Sequence, residues 1–133
     1  MTLQNRIALI TGSSSGIGRA VALAMAAVGA DVVINHPSPR EAATAVDIAE
    51  QIRAMGRRAI PIEADVADEH AVTMMVERIT RELGRIDILV NNAGIAAAAP
   101  VHELDVALWD RVLAVHLRGT FLMTRAVLPQ MYA

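Results

Sequence analysis

Lysine is absent from all 133 residues, and the twelve basic side chains are arginines with no basic run among them. That excludes a Walker-type phosphate loop, which needs a lysine. Cysteine is absent too, which removes disulfides and thiolate chemistry and makes a cytoplasmic location the expectation. No apolar stretch approaches the ~20 residues of a membrane helix. The N-terminus lacks a charged-then-apolar leader pattern, so no leader is expected. Net charge is −2, and nothing points to a nucleic-acid or anionic-membrane partner. His36, His70 and His102 show no ligand spacing, so no metal site is expected. What remains is a chain of one-domain length with 54% hydrophobic residues, ample for a packed core.

Strand-like and helix-like stretches alternate. Arg6 to Thr11 reads as a short, continuous apolar strand of the kind covered on both faces. Ile17, Val21, Ala24 and Val28 then recur at helical spacing until Gly29. Asp31 to Asn35 is a second strand, and His36-Pro37-Ser38-Pro39 a loop in which two prolines remove donors. A second helix is predicted from about Glu41 to Met55, with Gly56 as its stop. Ala59 to Glu63 is a third strand, and Pro61 within it favours a sheet edge. Asp68 or its neighbour caps a third helix with Val72, Met75, Val76, Ile79 and Leu83 inward, and Ile86 to Val90 is strand four.

Beyond an alanine-rich loop at 95–101, one long helix is predicted from about Asp105 to Leu128. Leu108, Val112, Val115, Gly119, Leu122 and Ala126 form one stripe, yet Trp109, Leu113, Met123 and Val127 make other sides apolar as well. Cover on two sides is therefore expected. Repeated β–α units imply the α/β class, a doubly wound parallel sheet in one domain over residues 1–133.

Gly12, Gly16 and Gly18 stand between the first strand and the first helix, in Thr11-Gly12-Ser13-Ser14-Ser15-Gly16-Ile17-Gly18. A glycine-rich turn in that context lays a pyrophosphate across backbone N–H groups, with Ser14 and its neighbours as added hydroxyl donors. The other reading is a tight structural turn. Asn91-Asn92-Ala93-Gly94 ends strand four, where open parallel sheets bind ligands. Spacing alone leaves that segment open between a ligand-facing role and a polar turn.

Taken together, Thr11-Gly12-x-x-x-Gly16-Ile17-Gly18, Asp65-Val66, Asn91-Asn92-Ala93-Gly94 and Leu117-Arg118-Gly119-Thr120-Phe121 resemble the classical short-chain dehydrogenase/reductase family. The resemblance runs from Gln4 to Met131. It implies the N-terminal part of a Rossmann-type sheet, strand order 3-2-1-4, and an NAD(P)-dependent oxidoreductase acting on a small alcohol or carbonyl substrate, commonly as a homo-oligomer. Gly12, Ser14, Gly16, Ile17 and Gly18 then match the pyrophosphate turn. Asp65 and Val66 match the pair that meets adenine, and Asn92, Ala93 and Gly94 the segment along the nicotinamide ribose. Asn91 matches an asparagine that ties the central strands together. NAD-preferring relatives carry an acid at the end of strand two. Here Asn35 and His36 stand there and Arg40 follows; Arg40 or His36 could pair with a 2′-phosphate, which favours NADP over NAD.

The pattern also breaks. The family's catalysis uses a Ser, a Tyr and a Lys four residues beyond it. The single tyrosine, Tyr132, has nothing four positions later, and there is no lysine. An unassisted phenol of pKa ~10 is a poor proton carrier at neutral pH. The 133-residue chain is therefore expected to bind cofactor and to be inactive alone, truncated before the catalytic segment. His116 occupies the position where the family usually has a catalytic asparagine, and a tolerated polar residue on a packed helix is the alternative there. The rival function is a non-catalytic dinucleotide-binding module or degenerate pseudo-enzyme. Without a neighbour, strand four would expose an apolar edge, so aggregation or edge pairing is expected.

Overall fold

The computed structural model describes residues 2–133. Four parallel strands, β1 (Ile7–Ile10), β2 (Asp31–His36), β3 (Ala59–Glu63) and β4 (Ile88–Val90), form one sheet in the order β3-β2-β1-β4. β1 is central because every residue in it is apolar and buried, as a strand covered on both faces requires. β3 lies at one edge, where Pro61 costs no ladder donor that a neighbour would need.

Alternation along the strands sorts the core into two layers. Ala8, Ile10, Val32 and Ile34 face α1 (Gly16–Ala27) and α2 (Ala42–Ala54). Ile7, Leu9, Val33 and Ile62 face α3 (Glu69–Glu82) and the C-terminal helix. The α1–α2 layer meets the sheet through Ala22, Ala26, Ala45 and Ala49, so both helices lie close to it. Asp68 caps α3, its Oδ1 accepting the Ala71 N–H at 3.0 Å.

β1 and α2 are each shorter by a residue at both ends than expected, and three further elements depart from their expected bounds. β2 runs one residue further, to His36, whose buried ring Nδ1 lies 2.8 Å from the Ser38 carbonyl. β4 starts at Ile88 rather than Ile86, because the Ile86 N–H donates to Gln130 Oε1 at 2.8 Å instead of joining the ladder. The long helix is three segments: α4 (Val106–Leu113), a π-helical stretch (Ala114–Arg118) and α5 (Gly119–Tyr132). It continues through Pro129, which forfeits one backbone bond, for a final turn beyond Leu128.

The expected two-sided cover is not present among the described residues. α5 buries Gly119, Leu122, Met123 and Val127, while α4 buries nothing. Trp109, Leu113, Leu117 and Phe121 remain exposed. β4 forms the second sheet edge and is only half-buried.

Candidate functional site

β2 and β3 lie to one side of β1 and β4 to the other, so the strand order reverses between β1 and β4. At the carboxyl ends of those strands opens a cleft of about 390 Å³, where doubly wound sheets hold ligands. Its floor is the turn from β1 to α1. Gly12 (φ +62°) and Gly16 (φ +56°) take the left-handed conformation, which costs a side chain roughly 1–2 kcal/mol.

Gly12 and Gly18 also permit close approach. A Cβ on Gly12 would lie 2.8 Å from Ala93 Cα, and one on Gly18 2.5 Å from Asn92 Nδ2. Gly16 differs, because beyond its chain neighbours and its own helix backbone no atom lies within 4 Å of where its Cβ would be. The space it leaves belongs to the cleft.

α1 starts at this point with no side-chain cap from Ser15 and no acid in its first turn. The N–H groups of Gly16, Ile17 and Gly18 have no intrahelical acceptor, and the positive end of the helix dipole points the same way. A donor set of this kind takes an anion, and Ser14 lines the cleft beside it.

The β4 end is clasped to this floor by a residue that sequence reasoning left out of the site. Thr11 Oγ1 accepts the N–H groups of Asn92 and Ala93, each at 3.0 Å. The Asn92 carboxamide donates to the Thr11 and Gly12 carbonyls at 3.0 and 3.2 Å. A buried threonine closing a strand directly before the glycine turn was the available signal. Asn91, expected to tie strands together, instead donates to Thr124 Oγ1 on α5 at 3.2 Å. The strand-to-strand tie belongs to Thr11 and Asn92.

Asn35 borders the cleft, but its carboxamide is taken up internally. Oδ1 accepts the Gly12 N–H at 3.0 Å, and Nδ2 donates to the Ala64 carbonyl at 3.0 Å. It holds the glycine turn against β2 and β3 and presents no polar atom to a ribose. Arg40 is exposed and lies outside the cleft wall, whereas Glu41 lines it and accepts a hydrogen bond from Ser38 Oγ.

Asp65 and Val66 form the wall after β3. Asp65 Oδ1 accepts the Ala67 N–H at 2.9 Å, while Oδ2 sits 2.8 Å from an Arg111 guanidinium nitrogen. Among the described residues Arg111 is the only basic side chain lining the cleft, and sequence reasoning missed it. Val66 packs on Gly119, where a Cβ would come within 2.6 Å of Val66 Cγ2.

At the opposite end Ala93, Gly94 and Ile95 line the cleft, and His116 on the π-helical stretch holds them. Its Nε2 lies 3.0 Å from the Ile95 nitrogen and 2.8 Å from the Ile95 oxygen. One ring nitrogen accepts or donates, according to tautomer, but does not do both at once. The contact is tight, since a Cβ on Gly94 would lie 2.5 Å from His116 Cε1.

The shifted carboxylates lie at the other end of the sheet. Burial pushes the Asp31 carboxyl up, but the Arg58 N–H and the Arg58 and Arg57 guanidinium groups outweigh it, leaving it below its ordinary value. Burial likewise raises Asp87, and the Ile7 N–H, Arg85 and Arg6 more than offset that. Among the described residues no helix is long and apolar enough to cross a membrane, and no group of three or more His, Cys, Asp or Glu side chains could hold a metal.

The chain resembles known proteins throughout. It is 46% identical over 127 residues to the (2S)-[(R)-hydroxy(phenyl)methyl]succinyl-CoA dehydrogenase subunit BbsD of Thauera aromatica, covering 96% of this chain and 50% of that protein. It is 44% identical to the cis-4-hydroxycyclohexanecarboxylate dehydrogenase of Sinomonas cyclohexanicum, with 96% and 50% covered. It thus spans about half the length of these curated relatives. Two solved structures superpose closely. A blue fluorescent protein from a metagenomic library, in complex with NADPH, gives a TM-score of 0.93 at 36% identity, over 98% of this chain and 53% of that one. A short-chain dehydrogenase of Burkholderia cenocepacia J2315, in complex with NADP, gives 0.92 at 42% identity, over 97% and 52%. With the short chain dehydrogenase family model matching residues 6–133 on a 3-2-1-4 parallel sheet, the chain belongs to the short-chain dehydrogenase family of oxidoreductases.

Proposed function

We propose that this chain is the cofactor-binding part of an NADP-dependent oxidoreductase that moves hydride between a nicotinamide ring and an alcohol or carbonyl carbon. The observation that carries the reading is the acid-free N-terminus of α1 on the floor of the cleft, with its first N–H groups unpaired. That donor set fits a pyrophosphate. The bound dinucleotide would supply the hydride at the nicotinamide, and the chain's own residues bind and orient it. Gly12, Ser14, Gly16, Ile17 and Gly18 hold the pyrophosphate, Asp65 and Val66 the adenine, and Asn92, Ala93 and Gly94 the nicotinamide ribose. His116 fixes the last of these segments through Ile95.

NADP is favoured by the absence of a carboxylate on Asn35-His36 and by relatives solved with NADPH and NADP. Arg40 would reach a 2′-phosphate from the solvent side. One observation favours NAD instead: Glu41, held by Ser38, lines the cleft and would accept a ribose hydroxyl. Proton transfer would need a Ser and a Tyr with a Lys four residues beyond it, and residues 1–133 contain no Lys. A cytoplasmic location and homo-oligomerisation belong to the same reading. The exposed Trp109, Leu113, Leu117 and Phe121 and the open β4 edge support aggregation or edge pairing of this chain, and the homo-oligomer is proposed for the full-length protein.

Titration with NADPH and NADH, followed by nicotinamide fluorescence, tests the reading. Binding of NADPH tighter than NADH, with no turnover of a carbonyl panel by this chain alone, is the expected result. Tighter NADH binding would transfer the preference to NAD through Glu41, and failure to bind either would overturn the reading. Binding with no turnover by any longer form of the protein would favour a non-catalytic module.

A further inference from the structure

Three arginines of the C-terminal helical run stand seven residues apart, at 111, 118 and 125. They engage the connection between β3 and α3 and the first residue of α3 in matching order. Arg111 pairs with Asp65 Oδ2 at 2.8 Å, Arg118 Nε donates to the Ala67 carbonyl at 3.1 Å, and Arg125 pairs with Glu69 Oε1 at 2.6 Å. Since α4 buries no residue of its own, this ladder is part of what holds it beside the cleft. Its rungs differ in one respect. Arg118 and Arg125 lie outside the cleft, whereas Arg111 and Asp65 both line it.

We infer that Arg111 is a positioning residue for purine recognition, fixing from α4 the Asp65 carboxylate that meets the amino group of the cofactor's adenine. The inference rests on the dinucleotide reading above. Asp65 has one oxygen occupied by the Ala67 N–H and the other by Arg111. Two anchors on two oxygens fix the plane of a carboxylate, and each oxygen keeps a free lone pair for an incoming donor. Without Arg111 the carboxylate keeps only the Ala67 bond and turns about it. The guanidinium also offsets one of the two acids, Asp65 and Glu41, in a cleft built for a polyanion. Adenine presents an N–H donor to the fixed carboxylate, whereas hypoxanthine presents a carbonyl oxygen that a carboxylate rejects. Arg111 therefore sharpens the choice between the two.

The test compares dissociation constants for NADPH and for its hypoxanthine analogue in the parent protein and in Arg111→Met, Arg111→Lys, Arg118→Met and Arg125→Met. The pair is partly exposed, so the adenine preference should fall about three- to fivefold in Arg111→Met. Arg111→Lys, which keeps the charge but not the fork, should recover part of it. Arg118→Met and Arg125→Met should leave the ratio at its parent value, whatever they do to stability. Equal loss of affinity for both nucleotides in Arg111→Met would make Arg111 a plain tether and overturn the inference. A rise in the adenine preference would overturn it too, by placing the guanidinium on the purine oxygen. A parent protein that binds neither nucleotide would remove the inference together with the cofactor reading. Binding with an unchanged ratio removes the inference alone.

Discussion

At the amino ends of the strands Asp31 and Asp87 are each met by arginines and backbone N–H groups, whereas at the carboxyl ends the N–H groups of α1 face an open cleft. Asp31, at the start of β2, pairs with Arg57 and Arg58, both at 2.7 Å. Asp87, just before β4, pairs with Arg85 and Arg6 at 3.1 and 3.3 Å. The floor of the carboxyl-end cleft replaces such pairs with glycines and with uncharged clasps from Thr11, Asn35 and Asn92, and the Asp65–Arg111 pair stands on its wall. Asp31 and Asp87, satisfied within the protein, stabilise it. Donors left unpaired cost stability and wait for a ligand. The two ends of one sheet thus divide stability from binding.

The sharpest way to break this division is Gly18→Ala. Its Cβ would sit 2.5 Å from Asn92 Nδ2 and 2.6 Å from the Gly12 carbonyl, forcing the floor and the β4 wall apart. Overpacking of this kind costs about 1–3 kcal/mol, so NADPH affinity should fall by about 10- to 100-fold in a fluorescence titration. An affinity within twofold of the parent would mean that floor and wall are not coupled.

Asp31→Asn tests the other end. Removing a buried carboxylate from two guanidinium groups should cost about 1–3 kcal/mol in urea unfolding at neutral pH, with NADPH affinity of the folded protein unchanged. The pH dependence carries a definite sign. A carboxyl held below its ordinary value in the folded protein contributes stability above its unfolded pKa of roughly 3.9, and that stability is lost as pH falls through the lower folded value. The acid limb of the stability profile should therefore flatten in Asp31→Asn, and an unflattened limb would assign acid sensitivity elsewhere.

The smallest effect belongs to Arg85→Gln. Arg85 is half exposed and shares Asp87 with Arg6 and the Ile7 N–H, so the loss should stay within about 1 kcal/mol by the same unfolding measurement.

Strands and glycine turn were legible in the sequence because both are local. Ile7 to Ile10 is apolar at every position, as a strand buried on two faces requires, and the glycine turn directly after it bounds the run to strand length. The turn announces itself through glycines whose spacing follows from the pyrophosphate geometry. Features decided by distant partners were not legible. The π-helical stretch contains no proline or glycine to mark it, and Ile86 stays out of the ladder where its N–H goes to Gln130 and the Ile7 N–H to Asp87. Asn35 stands where a ribose contact was expected, yet Gly12 and Ala64, brought to it by the fold, take its side chain. Arg111 carried a faint signal, its seven-residue spacing to Arg118 and Arg125, which gained meaning only with residues 65–69 opposite.

Amide hydrogen exchange with and without NADPH, read residue by residue at both ends of the sheet, tests the division between them most directly. Protection gained at Gly16, Ile17, Gly18 and Ala93, with exchange around Asp31 and Asp87 unchanged, is the predicted result. Protection spread evenly over both ends, or confined to the amino end, would contradict it.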